Sequence, residues 1–432
     1  MGALLALLVA GGVLVVVNAT GDGGDGSGDD KRDGGGQPGN VAESLWRTEP
    51  LPEGGDDFVS AVNNGQVWVG QEVVVLLTGS GMWGFDQSSG EELWKLKDPE
   101  GLDVMPCSAS PDANAQGIGA VLYRPADDRA EEPNCTSLAV VDTAAGEVIW
   151  QKDLGEPGDS GVGDLGGDVR VTVGDEAINA SLVGRVHRFA IEDGEELPLP
   201  EASPSPCPGE PVTTWHTDTV IVLHHNCHSD DEDGSDRITA FDADTLDTMW
   251  TSPVENRVDP HLLAGEPVAF SVSRHASDDA WLWTYDDEGE VSGEIPVDSE
   301  TQTFEDFVTD SLVITRVSSP DATLNVVRGF DPRTGTQLWE TELGPRARLV
   351  GEPDEEPVVT YDEVAADGVD DAHVAWLDPA DGALTGDITL SRYSRTRCCS
   401  PYVQDVAFTD DTLYVVGGEL GGEVRLEALA RD

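Results

Sequence analysis

From Val41 onward the chain alternates apolar and polar residues in short runs, with apolar positions two apart rather than three or four. One phrase recurs: an aliphatic residue, any residue, a small one, a large apolar one, then Asp. Gly follows after three residues, and Trp comes four beyond the Gly. It reads Met82-Trp83-Gly84-Phe85-Asp86 with Gly90 and Trp94, then Leu138 to Asp142 with Gly146 and Trp150. It returns as Ile238 to Asp242 with Trp250, and as Val327 to Asp331 with Gly335 and Trp339. Weaker copies run Val186 to Ala190 with Gly194, Leu282 to Asp286 with Gly289, Val374 to Asp378 with Gly382, and Leu426 to Ala430. The five-residue phrase has the period of a strand. Asp accepts backbone N–H groups two residues on and starts a turn. Gly supplies the positive φ that ends the turn, and Trp opens the buried side of the next strand, where a large ring wedges between neighbouring units. The small third residue (Gly84, Ala240, Gly329) suits a crowded inner face of a ring.

The Asp slot runs from Asp86 to Ala430 and recurs every ~49 residues, close to the ~40–50 residues of one four-stranded propeller blade. The ends of the chain fit a closed ring. The last copy stops at its turn with no Trp strand after it, while Leu45-Trp46 stands alone at the start. A strand around Ser44 to Arg47 is therefore expected to complete the last blade, which removes the open sheet edges. The expected fold is all-β: one eight-bladed propeller over 41–432, closed by its N-terminal strand.

Ahead of it, Ala3 to Val17 is almost wholly Ala, Leu, Val and Gly. That is the apolar core of a signal peptide and short of the ~20 residues of a membrane span. Val17-Asn18-Ala19 offers small residues for cleavage, although no Lys or Arg precedes the run. Residues 1–19 are read as a signal peptide or membrane anchor. Residues 20–40, rich in Gly, Asp and Ser, are read as a tether too polar to offset its ordering entropy. The expected location is extracytoplasmic, anchored by the N-terminal segment or secreted.

Charge narrows the partners. There are 84 Asp and Glu against 24 Lys and Arg, a net −60, and Lys is confined to Lys31, Lys95, Lys97 and Lys152. Such a surface repels nucleic acid and anionic headgroups. Because the acids are spread along the whole chain, they read as a solvated coat rather than a cation site.

The repeated phrase resembles that of the pyrroloquinoline-quinone (PQQ)-binding-like propellers, most closely at Gly84-Phe85-Asp86 to Trp94 and Gly329-Phe330-Asp331 to Trp339. The low-Lys, acidic style also looks like that of exported actinobacterial members. The resemblance covers about residues 44–432 and implies the fold. It leaves function open, because the family holds quinone-dependent alcohol dehydrogenases, an outer-membrane assembly scaffold and exported proteins that bind no quinone.

Six cysteines in an exported chain point to disulfides. Proximity pairs Cys107 with Cys135, Cys207 with Cys227, and Cys398 with Cys399. In quinone dehydrogenases, by resemblance, a disulfide between neighbouring cysteines lies against the cofactor. Cys398-Cys399 is thus the one cofactor-site candidate, for PQQ with calcium, though it sits late in the chain and no calcium ligands or catalytic Asp are assigned beside it.

Other constellations carry less. His224-His225-Asn226-Cys227-His228 has metal-ligand residue types, but a strand over Val220 to Leu223 sends the first two His to opposite faces, and the segment reads as a solvated loop. Asp231, Asp233 and Gly234 lack the first Asp and closing Glu of a calcium loop. Gly158-Asp159-Ser160-Gly161 reads as a loop. The leading expectation is a non-catalytic, monomeric scaffold that holds a protein or surface ligand, with no cofactor or metal. The alternatives are a PQQ-dependent dehydrogenase and an extracellular sensor.

Overall fold

The computed structural model describes residues 40–52, 65–97, 104–125, 135–155, 169–182, 185–200, 213–225, 236–254, 258–274, 280–297, 307–318, 325–344, 347–350, 357–364, 370–390, 402–419 and 423–431. All lie in the unit Gly39–Asp432. They form eight sheets, antiparallel except for one two-residue parallel edge strand, and no α-helix. Blade 1 is Gln66–Val69, Val73–Thr78, Gly81–Asp86 and Glu92–Leu96; blade 2 is Val104–Ala109, Ile118–Pro125, Ser137–Asp142 and Glu147–Asp153. Blade 3 has three strands, Arg170–Val173, Ala177–Leu182 and Arg185–Ala190. Blade 4 is Thr213–His216, Val220–His225, Asp236–Asp242 and Thr248–Val254; blade 5 is Val258–Gly265, Val268–Arg274, Ala280–Tyr285 and Val291–Val297. Blade 6 is Phe307–Val308, Val313–Ser318, Asn325–Phe330 and Gln337–Leu343; blade 7 is Arg348–Val350, Val358–Val364, Asp370–Leu377 and Leu384–Leu390.

Blade 8 has three strands from the end of the chain, Tyr402–Phe408, Thr412–Glu419 and Glu423–Ala430. Its fourth comes from the start: Ser44–Arg47 pairs antiparallel with Glu423–Ala430, setting Trp46 opposite Ala428 and Arg47 opposite Glu427. The ring is closed by its N-terminal strand, as the orphan Trp46 implied. The same segment does more than expected. Asn40–Val41 first runs parallel to Leu384–Leu390 on the outside of blade 7, so the N-terminal chain crosses two blades.

The core lies in the seams between blades. Each seam is an apolar cluster with members from both flanking blades, except that between blades 3 and 4. The blade 6/blade 7 seam, for example, joins Ile314, Val327 and Trp339 to Val359, Ala375 and Leu377. Strands packed on both faces read as continuous apolar runs, as in Val73–Thr78, Val-Val-Val-Leu-Leu-Thr.

The repeated phrase builds a staple across five of the seams. The Asp carboxylate caps its turn: Asp86 Oδ1 accepts the N–H groups of Ser88 at 3.1 Å and Ser89 at 2.9 Å. The turn Gly adopts positive φ, as at Gly90 (69°) and Gly382 (69°), and its bare Cα is where the previous blade's Trp ring lies. Four of the rings then donate Nε1–H to the carbonyl just after the Asp slot. Trp46 bonds Gln87 O at 2.7 Å, Trp94 bonds Thr143 O at 3.0 Å, Trp150 bonds Ile191 O at 2.7 Å and Trp339 bonds Pro379 O at 2.8 Å. Trp250 lies on Gly289 in the same way.

The small third residue has a different cause from the one expected. It does not serve the inner face of the ring. Gly84 is directly opposite Trp94, Ala240 opposite Trp250 and Gly329 opposite Trp339, within the same blade. A side chain on Gly84 or Gly329 would occupy the space of that ring. A bulge precedes each Trp, and the bulged Leu45, Leu93, Ile149, Met249 and Leu338 point out to solvent.

Candidate functional site

Blade 3 departs from the pattern. Its strands alternate, Arg-Val-Thr-Val and Ala-Ile-Asn-Ala-Ser-Leu, although a blade lies on either side. One face is apolar: Val171, Val173, Ile178, Ala180, Leu182 and Phe189 pack on blade 2. The other carries Thr172, Asn179 and Arg188, which sit directly opposite one another across the three strands and therefore point the same way, toward blade 4. All three are buried, at 3%, 1% and 5% exposure. Blade 4 answers with His216, Ile221 and Phe241, likewise in one cross-strand row, and its apolar cluster on this side has no blade 3 member.

Hydrogen bonds replace apolar contact here. Thr172 Oγ1 lies 2.9 Å from His216 Nδ1 and donates to Thr217 O at 3.1 Å. Since that hydroxyl has one proton and gives it to the carbonyl, it accepts from Nδ1–H, and His216 Nε2 is left as a bare acceptor. Burial first, and then the charge of Arg170, push the His216 pKa down to about 3, so the ring is neutral. Arg188 takes the place of the missing Trp. Its Nε and Nη2 donate to Ala243 O at 3.2 and 3.0 Å, and Nη2 also reaches Asp244 O at 2.6 Å. Ala243 is the residue just after Asp242, so the guanidinium uses the acceptor that the indoles use elsewhere. Burial lowers the Arg188 pKa, opposed by Asp244, Glu176 and Asp242. The turn it grips has no Gly; Leu246 takes its place at φ 61°.

Two further polar clusters lie in the ring. In blade 7, His373 Nδ1 pairs with Asp387 Oδ1 at 2.9 Å, and Tyr361 stacks on His373 at 5.0 Å. In blade 4, His224 stacks on Trp215 at 5.8 Å with Nε2 3.6 Å from Asp236 Oδ2. His224 and His225 were expected in a solvated loop. They are instead the buried last residues of the strand Val220–His225, because blade 5 covers the face that His224 occupies. At the ring closure, Asp405 of blade 8 accepts the N–H of Val67 in blade 1 at 2.9 Å, and burial raises its pKa to about 6.

Of the cysteines, Cys107 and Cys135 are joined, with Cα atoms 6.2 Å apart, inside the blade 2/blade 3 cluster. Cys207, Cys227, Cys398 and Cys399 lie outside the described residues, as do Asn226 to Gly234, Gly158 to Gly161 and the N-terminal segment read as signal and tether. The repeat residues Trp46, Trp94, Trp150, Trp250 and Trp339 are the staples, while Asp86, Asp142, Asp242, Asp286, Asp331 and Asp378 cap the turns. Among the described residues no three His, Cys, Asp or Glu side chains converge as a metal would require. Sequence reasoning missed Arg188, Asn179 and His216. The signal that could have found them is the alternation of blade 3 where both faces are packed.

The profile of the outer membrane protein assembly factor BamB matches residues 234–421. No curated protein matches the chain. Among solved structures, the C-terminal WD40 domain of Sif2 superposes with a TM-score of 0.52 at 12% identity, over 91% of this chain and 99% of that one, a likeness of fold alone. A europium-containing methanol dehydrogenase (TM-score 0.46, 11% identity, 90% and 93% covered) is too distant to carry an argument. The same holds for the quinohemoprotein alcohol dehydrogenase of Comamonas testosteroni (0.45, 11%, 90% and 76%). The chain is thus an eight-bladed β-propeller whose residues 234–421 match the profile of the BamB repeat.

Proposed function

We propose that the ring is a non-catalytic, extracytoplasmic scaffold that holds a protein or a surface ligand at one of its faces. The observation behind this reading is the distribution of connections. At one end of the strands the connections within a blade are short, from 266–267 up to 110–117, and the turns are capped by Asp and in several blades pinned by the preceding blade's Trp; 191–212 joins this end of blade 3 to the start of blade 4. The strand ends joined by 53–65, 126–136, 154–169, 226–235 and 391–401 are at the other end, beside those of short links such as 79–80. A rigid frame that gathers its long connections at one end is the arrangement by which scaffolds present binding loops. The test is photo-crosslinking in the exporting cell, with the probe at Asp128 in the 126–136 connection or Ser160 in the 154–169 connection, or at Ser89 in a short turn. Adducts from the first two positions and none from Ser89 support the reading. Adducts only from Ser89 would reverse the face, and none from any position would remove the scaffold role.

A second reading, a PQQ-dependent dehydrogenase, is favoured by Cys398-Cys399 together with the repeat. Calorimetric titration of the oxidised protein with PQQ in calcium buffer, followed by a dye-linked alcohol oxidation assay, separates the two. Stoichiometric binding with turnover would make the chain an enzyme and displace the scaffold reading.

A further inference from the structure

The blade 3/blade 4 seam holds polar atoms that the protein itself does not satisfy. Both side-chain atoms of Asn179, Nδ2 and Oδ1, and Nε2 of His216 are buried without a hydrogen-bonding partner. Asn179 is 1% exposed and so is His216. They lie on either side of Thr172: Asn179 is its cross-strand partner in blade 3, and His216 is bonded to its hydroxyl from blade 4. On Asn179's other side is Arg188, whose guanidinium is engaged with the carbonyls of Ala243 and Asp244. Facing them, blade 4 offers Ile221 and Phe241, which neither donate nor accept.

These three atoms form a matched set. The amide supplies one donor group and one acceptor, and the tautomer set by Thr172 makes His216 Nε2 an acceptor. A buried amide left unpaired is a heavy cost, and native proteins almost always avoid it. The complement of two acceptors and one donor is a molecule that donates twice and accepts at least once. From this we infer that the seam is a binding site for one ordered water molecule, which donates to His216 Nε2 and Asn179 Oδ1 and accepts from Asn179 Nδ2. Such a water has the three bonds typical of buried waters. It is the polar filling at the one seam where blade 3 contributes no apolar side chains and where Arg188 stands in for the Trp staple. The inference does not depend on the scaffold reading.

Two measurements test it. A crystal structure of the oxidised protein at high resolution should show a density peak within hydrogen-bonding distance of Asn179 and of His216 Nε2. A seam with no peak there overturns the proposal. Oxygen-17 magnetic relaxation dispersion on wild type and on Asn179→Leu, a near-isosteric apolar replacement, gives a second readout. The proposal predicts one fewer long-lived water in the variant and a lower unfolding midpoint. An unchanged water count, or a raised midpoint as expected for removal of a bare amide, would refute it. If Asn179→Leu does not fold, the wild-type density decides alone.

Discussion

Replacing Trp339 by Ala removes one complete staple, and its cost can be worked from the structure. The ring is 6% exposed. It lies between Gly329, across the strand in its own blade, and Gly382 in the turn of blade 7. Neither neighbour has a side chain that could swing into the space left behind, so the cavity should collapse little. Truncations of this kind cost about 3–5 kcal/mol. The bond from Nε1 to Pro379 O at 2.8 Å is lost as well, worth about 1 kcal/mol. A total of about 4–6 kcal/mol is expected, a large share of the ~5–15 kcal/mol that holds a typical protein folded. Urea unfolding followed by far-ultraviolet circular dichroism reads it without relying on indole fluorescence. Leu338→Ala is the control. Leu338 is the neighbouring bulge residue, 49% exposed, and should change stability by no more than about 0.5 kcal/mol. A Trp339→Ala cost under about 0.5 kcal/mol, or one equal to that of Leu338→Ala, would refute the staple.

Three other outcomes are expected. Asp405 has a folded pKa of about 6 against an ordinary value of 3.8, so the native state holds this proton more tightly than the unfolded chain. Its contribution is then most favourable below pH ~4 and is lost as pH rises to ~6, up to about 3 kcal/mol. Asp405→Asn should therefore gain stability relative to wild type across that interval, and parallel pH profiles would refute the assignment. Replacing Cys107 and Cys135 together by Ser should cost about 3–4 kcal/mol, from the 28-residue separation that the bond spans; a cost below 1 kcal/mol in urea unfolding would contradict it. Leu246→Gly relieves a left-handed conformation worth about 1–2 kcal/mol, against lost contact with the cluster of Ile221 and Phe241. The expected net result is a slightly higher melting temperature, and a marked fall would show that packing dominates at this turn.

Most of the fold was legible in the residues, because each blade must solve the same local problem. An Asp-capped turn, a Gly with room for a ring, and the ring itself leave fixed spacings such as Asp86, Gly90 and Trp94. The closure was legible as well, since Trp46 lacked a turn and Ala430 lacked a Trp. The staples that use other chemistry were not. Arg188 sits on a third strand, outside the Trp slot, yet reaches the equivalent acceptor. Between blades 5 and 6 the hydroxyls of Thr284 and Ser292 reach Pro332 O, and a Thr or Ser in a strand announces nothing of the kind. The small residue at Gly84 and Gly329 was noticed but assigned to the wrong neighbour, because its partner is set by strand register rather than by sequence distance. The polar row of blade 3 was visible only as an alternation that looks ordinary until both of its faces are known to be covered. Asn40–Val41 joins blade 7 through backbone pairing, which leaves little trace in side chains.

The closed ring holds the fold together, and deletion of Ser44 to Arg47 from the otherwise intact chain tests it most directly. Thermal unfolding and amide hydrogen exchange over Glu427–Leu429, the residues that this segment pairs with, should be measured together. The closed ring predicts a marked fall in melting temperature and faster exchange at the amides of Glu427–Leu429 that the deletion uncovers. A truncated protein that melts like its parent, with those amides still protected, would contradict the closure.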